Sequence, residues 1–99
     1  LLTDEQAKNL PPLYATENIA TKDKIVKIKF FTPDSSWSWY AVEYDKDEKI
    51  FFGYVNGHYP EWGYFSLEEL EQTKGPLGLH IERDIHFKEQ PFGQIKELQ

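Results

Sequence analysis

Residues 25–55, IVKIKFFTPDSSWSWYAVEYDKDEKIFFGYV, decide the fold. Val26, Ile28 and Phe30 alternate with Lys27 and Lys29, the two-residue period of a strand with one face buried and one face in water. Thr32-Pro33-Asp34-Ser35-Ser36 is a turn by composition, because Pro fixes φ while Asp and Ser side chains bond nearby backbone. Trp37 to Asp45 then resumes an extended pattern with two apolar sides: Trp37, Trp39 and Ala41 point one way, and Tyr40, Val42 and Tyr44 the other. Such a strand belongs in the middle of a sheet with cover on each side. Asp45-Lys46-Asp47-Glu48 makes a charged hairpin turn and Ile50 to Val55 returns, so an antiparallel three-stranded meander is expected.

Working outward, Thr3 and Gln6 have capping-box spacing ahead of Ala7 and Leu10, and Pro11-Pro12 bars continuation, which predicts a short N-terminal helix. Asn18 to Lys24 is polar and reads as a linker. Asn56-Gly57 signals a turn, His58 to Gly63 a loop rich in rings and Pro, and Tyr64-Phe65 a short extended piece. Ser66 and Glu69 form a second capping box, with Leu67 and Leu70 on one face and Gly75-Pro76 as the stop, so a two-turn helix should lie on the sheet. Ile81 to Phe87 alternates again, and the tail after Pro91-Phe92-Gly93 has only Ile95 and Leu98 to bury. The expected fold is α+β: a small antiparallel sheet, the meander plus one or two further strands, with short helices at the N-terminus and near residues 66–74, in one domain over residues 1–99.

Ninety-nine residues leave no room for two independent cores. Seven Phe, six Tyr and three Trp must carry much of the packing. Seventeen acidic residues against eleven basic ones give a net charge of −6, and neither half of the chain is basic, which argues against a phosphate-tracking surface and so against nucleic acid as a partner. The absence of Cys excludes disulfides, a thiolate nucleophile and Cys-based zinc sites. No apolar run approaches the ~20 residues of a membrane span, and a cytoplasmic location is expected. With Leu1 in first place and no Met anywhere, the natural product is expected to begin upstream.

The most pointed constellation is in the last expected strand. If it is extended, Glu82, Asp84 and His86 share one face while Ile81, Arg83, Ile85 and Phe87 share the other. Two carboxylates and an imidazole on one face could hold Mn²⁺, Fe²⁺ or Zn²⁺, or orient a His as a base. The plainer readings are the solvated face of an edge strand or a structural hydrogen bond from His86. Arg83, the only Arg beside ten Lys, falls among apolar neighbours and is expected to pair with Glu43 or Glu61, with anion recognition as the alternative. Trp37, Trp39, Tyr59, Trp62 and Tyr64, with Glu61 among them, are read as a binding platform or as core. No glycine-rich phosphate loop, nucleophile elbow or metalloprotease helix motif is present.

Phe31-Thr32-Pro33, Trp37 to Asp45, Pro60-Glu61-x-Gly63-Tyr64-x-Ser66-Leu67-x-Glu69-Leu70 and Gly75-Pro76-Leu77-Gly78-Leu79-x-Ile81-Glu82-Arg83-Asp84-Ile85-His86-Phe87 together resemble the bacterial family known as domain of unknown function 2958, from about Leu1 to Phe87. The resemblance implies short stand-alone proteins of plasmids and integrating elements, encoded near transfer and antirestriction genes, and it supplies no activity. Glu61, Glu82, Arg83, Asp84 and His86 match the family's letters, whereas Trp62 and Phe65 stand where aliphatic residues are more usual and Glu17 to Lys24 is a polar insert. Charge and context together lead us to expect a cytoplasmic accessory protein, without a cofactor, that binds another protein and inhibits a host defence or DNA-processing enzyme by presenting carboxylates in place of phosphates. The alternatives are a small metal-dependent hydrolase or nuclease using Glu82, Asp84 and His86, and a structural subunit of a larger complex.

Overall fold

The structure, a computed structural model, describes residues 1–99. At the N-terminus the reciprocal cap forms: Thr3 Oγ1 accepts from the Gln6 N–H at 3.1 Å, and the Gln6 side chain accepts from the Thr3 N–H at 3.0 Å. Two of the orphan donors of α1 (Asp4–Asn9) are thereby satisfied. The helix stops at Leu10, ahead of the two prolines, and Leu10 is its buried anchor.

Strands β2 (Ile28–Phe31), β3 (Ser38–Asp45) and β4 (Ile50–Asn56) form the meander, β5 (Glu61–Ser66) adds to β4, and β6 (Glu82–Arg83) adds to β2. The sheet is antiparallel in the order β5-β4-β3-β2-β6, with β3 central and buried from Trp39 to Tyr44. A second sheet of two short strands pairs β1 (Ile25–Val26) with β7 (Gln90–Pro91). Helix α2 (Leu67–Gln72) is capped by Ser66, whose side chain accepts from the Glu69 N–H at 3.0 Å, and Leu70 docks into the core. No helix is long and apolar enough to cross a membrane.

Five expectations need correction. The strand from Ile25 to Phe31 is broken at Lys27, whose N–H bonds Ala41 O at 2.9 Å, and Val26 packs with Tyr40, Val42 and Ile95 instead of sharing a face with Ile28 and Phe30. The cause lies opposite, where the β3–β4 register slips between Ala41 and Glu43. A bulge inserts one residue and inverts the alternation beyond it, so Tyr44 joins the side of Trp39 and Ala41. Residues 61–63 are strand, not loop. The Ile81 to Phe87 segment is extended only at Glu82–Arg83, because Asp84 Oδ1 accepts from the His86 N–H (2.9 Å) and Asp84 O from the Phe87 N–H (3.2 Å), closing a turn. The polar stretch before β1 is likewise not a free linker: Thr21–Asp23 forms a 3₁₀ turn and Lys24 is buried, its ammonium bonded to Thr16.

The core occupies both faces of the sheet. On the helix face, under α1 and α2, Tyr44, Phe51, Phe65 and Phe30 meet at ring centroid distances of 4.5 Å (Tyr44–Phe51), 5.2 Å (Phe51–Phe65) and 5.4 Å (Phe30–Phe51), joined by Leu10, Leu70 and Ile81. On the tail face, Val26, Tyr40, Val42 and Ile95 are sealed by Phe87, Phe92 and Leu98. Each fully buried ring or branched side chain contributes roughly 1.5–3 kcal/mol relative to exposure.

Candidate functional site

The structure disperses the polar residues singled out above. Glu61 and Arg83 sit on β5 and β6, the two opposite edges of a five-stranded sheet, some ~19 Å apart at the usual strand spacing. Glu43 is on the tail face beyond the bulge, whereas Arg83 pairs with Phe30 and so points to the helix face. The Arg83 ion pair therefore does not form with either carboxylate, and its Nε is buried without a partner. Asp84 reaches toward the Lys29 ammonium (3.9 Å), and its other oxygen serves the turn. Glu82 and His86 are exposed, and no three His, Asp or Glu side chains gather closely enough to hold a metal ion. The turn at Asp84 removes the common face on which the metal and general-base readings depended.

The ring platform is also divided. Trp37 and Trp39 stack on the helix face at 5.8 Å, with the His58 ring edge-on to Trp37 at 5.3 Å. Gly57 approaches the Trp37 ring so closely that a Cβ there would lie 2.3 Å from it, which covers part of the indole. These two Trp border a groove of about 570 Å³ with Thr32, Ser35, His58, Glu69 and Lys74. Tyr59 stands alone, 85% exposed.

Trp62 and Tyr64 face the opposite way, on the tail side, because Trp62 pairs with Tyr54 and Tyr54 with the tail-face residue Tyr40. There they join three rings that sequence reasoning had not singled out. Phe92 from the tail meets Tyr54 and Trp62, each at 4.8 Å, and Phe52 meets Tyr64 at 5.2 Å and Trp62 at 5.7 Å. Phe52 and Tyr54 could have been found from their two-residue spacing in β4, but nothing local reports that Phe92 folds back upon them. The result is one contiguous ladder of five rings, four of them partly buried and Tyr64, the outermost, 56% exposed.

One end of the ladder abuts a polar corner built around Glu43. This carboxylate, only 3% exposed, accepts from the N–H groups of Tyr14 (2.8 Å) and Thr16 (3.0 Å) and from the Thr16 hydroxyl. Tyr14 is held there at φ 72°, a left-handed conformation that costs an L-residue about 1–2 kcal/mol. Its phenol lies beside that of the largely exposed Tyr64 and raises the Tyr64 hydroxyl above its ordinary value. Tyr14, Glu17, Lys24, Glu43, Phe52 and Tyr64 enclose a recess of about 260 Å³. A second polar cluster lies farther along the same face, where the Tyr40 hydroxyl donates to Glu97 at 2.6 Å and the Lys29 ammonium bonds the same carboxylate.

The outer side of β5 pairs with nothing. Leu67 N donates to Lys49 O at 2.9 Å, which sets the phase of the ladder: Glu61, Gly63 and Phe65 bond inward to β4, and the N–H and C=O of Trp62 and Tyr64 point outward. A partly exposed ring ladder thus runs alongside an unpaired strand edge.

These features define a small α+β protein whose distinctive surface is a long unpaired sheet edge beside a row of rings. A family model described as protein of unknown function (DUF2958) matches residues 1–93, and the chain belongs to that family. No curated protein and no solved structure matches the chain.

Proposed function

We propose that the protein works by binding another protein through the tail-face rings of β4 and β5. The observation that carries this reading is the contact ladder of Phe52, Tyr54, Trp62, Tyr64 and Phe92, in which five rings lie side by side and remain part exposed. Rings with polar tips give large contact area at low conformational cost and recur as interface anchors. The net charge of −6 favours a partner with a basic surface. A cytoplasmic accessory role on a mobile element, directed at a host defence or DNA-processing enzyme, is the finer form of the same proposal.

The test is retention of a partner from bacterial lysate on the immobilised chain at micromolar concentration, compared with a Trp62→Ser, Tyr64→Ser double variant. A partner held by the parent and lost by the variant is the expected result. Recovery of nothing, or equal recovery on both, would overturn the reading.

A further inference from the structure

We infer that β5 accepts an extended, lysine- or arginine-rich segment of the partner as an additional antiparallel or parallel strand. This rests on the protein-binding reading and specifies the chemistry of what is bound. Native sheets usually blunt their edges with very short strands, Lys, Pro or bulges. The β6 edge follows that habit, being two residues long. The β5 edge does not: Glu61–Ser66 is six residues long, contains neither Lys nor Pro, pairs with β4 without a register shift, and leaves the backbone groups of Trp62 and Tyr64 directed outward. Gly63 adds room, since nothing lies within 4 Å of where its Cβ would be. A side chain of an added strand can therefore settle between Glu61 and Phe65 on the helix face, while the next lies along Trp62 and Tyr64 on the tail face.

Charge selects the occupant. From Glu61 to Thr73 the chain carries Glu61, Glu68, Glu69 and Glu71 and no Lys or Arg. Glu61, Glu68 and Glu69 are exposed and unengaged by any ion pair, and the exposed Glu17 lines the recess beside Tyr64, where the Lys24 ammonium is buried and bonded to Thr16. Acidic side chains thus flank the open edge at both ends. A second copy of this chain would bring the same carboxylates and another −6 of charge against them, whereas a cationic strand is steered in and neutralises them.

Two ten-residue peptides test this on the full chain, one alternating Lys with Val and Thr, the other with Glu in place of Lys. The cationic peptide should bind with Kd on the order of tens of micromolar and slow hydrogen exchange at the amides of Trp62 and Tyr64, and the acidic one should not bind. Tyr64→Pro removes one outward-facing donor and no inward bond, a substitution that edge strands tolerate, and should weaken the cationic peptide by about tenfold relative to Tyr64→Thr, which loses the ring but keeps the donor. Equal binding of both peptides, protection elsewhere than β5, or binding by Tyr64→Pro no weaker than by Tyr64→Thr would overturn the inference. If circular dichroism shows Tyr64→Pro unfolded, Glu61→Lys with Glu17→Lys decides instead, since loss of the preference for the cationic peptide is then required. A lysate partner lost by the Trp62→Ser, Tyr64→Ser chain but kept by Tyr64→Pro would leave protein binding standing and strand addition refuted. Absence of any lysate partner would bear on the broader reading, with the peptides still deciding this one.

Discussion

At Glu43 three donors converge on a carboxylate that water scarcely reaches, so its removal would leave the N–H groups of Tyr14 and Thr16 without acceptors. Glu43→Ala should cost about 2–4 kcal/mol, read as a lower urea midpoint, and should loosen the Tyr14 loop as judged by amide exchange. A loss under about 0.5 kcal/mol, the range of surface substitutions, would show that the loop does not depend on it. The second polar cluster makes stability depend on pH at both extremes. Burial pushes the Glu97 carboxyl up, but the Lys29 ammonium and the Tyr40 hydroxyl outweigh it and hold the group below its ordinary 4.5. Glu97 therefore binds fewer protons folded than unfolded, and its contribution is present above pH 4.5 and lost as the pH falls through the folded value. Because the Glu97 side chain is 47% exposed, solvent screening keeps that contribution below about 1 kcal/mol. Burial, and then the Glu97 carboxylate, raise Tyr40 above 10.0, so its contribution is full below pH 10 and disappears as the pH climbs beyond. In thermal melts across pH, Glu97→Gln should flatten the acid limb and Tyr40→Phe the alkaline one. Unchanged limbs would mean that these groups are not linked to folding.

Among the elements, β4 depends on a glycine for a reason that its sequence neighbours do not reveal. Gly53 lies opposite Ala41 next to the bulge, and a Cβ there would stand 1.9 Å from the Tyr40 carbonyl oxygen, with no flexible side chain to give way. Gly53→Ala should thus displace the two central strands and cost upwards of ~3 kcal/mol, whereas Gly63→Ala, with open space around it, should stay within about 1 kcal/mol. Equal midpoints for the two variants in urea would contradict the close approach. The same contrast explains what could be read beforehand. Both helices were legible from Thr3 with Gln6 and from Ser66 with Glu69, because a cap is a contact over three residues. The meander was legible because alternation reports a half-buried strand wherever the register is regular. The Ala41/Glu43 bulge and the Asp84 turn were not, since each is set by hydrogen bonds that periodicity does not encode. That gap misplaced the candidate site: one turn at Asp84 scattered Glu82, Asp84 and His86, and the order of five strands parted Arg83 from Glu61.

For the molecule as a whole, the sheet has two faces to cover and only one pair of helices, which lies on a single face. The other face is closed by the last residues of the chain, and the closure is long range: Phe92 N donates to Lys24 O at 2.8 Å, β7 pairs with β1, Ile95 is 1% exposed against Val26, Tyr40 and Val42, and Glu97 ties down Lys29 and Tyr40. The family model ends at residue 93, so Ile95 and Glu97 complete this core from beyond the matched segment. Phe92 also roofs the ring ladder, which makes the tail a support of the proposed binding face as well as of the fold. Ile95→Ala should cost about 2–4 kcal/mol, a large share of the 5–10 kcal/mol on the order of which a chain of this size is stable. Truncation after Gln90 also removes Phe92, Leu98 and the Glu97 anchor, and should leave a state with strand content by far-ultraviolet circular dichroism, weakened near-ultraviolet signal and dye-binding apolar surface. Were the truncated chain instead to keep its near-ultraviolet spectrum and its urea midpoint, the tail would be a passenger, and the ring ladder would have to hold its geometry without Phe92.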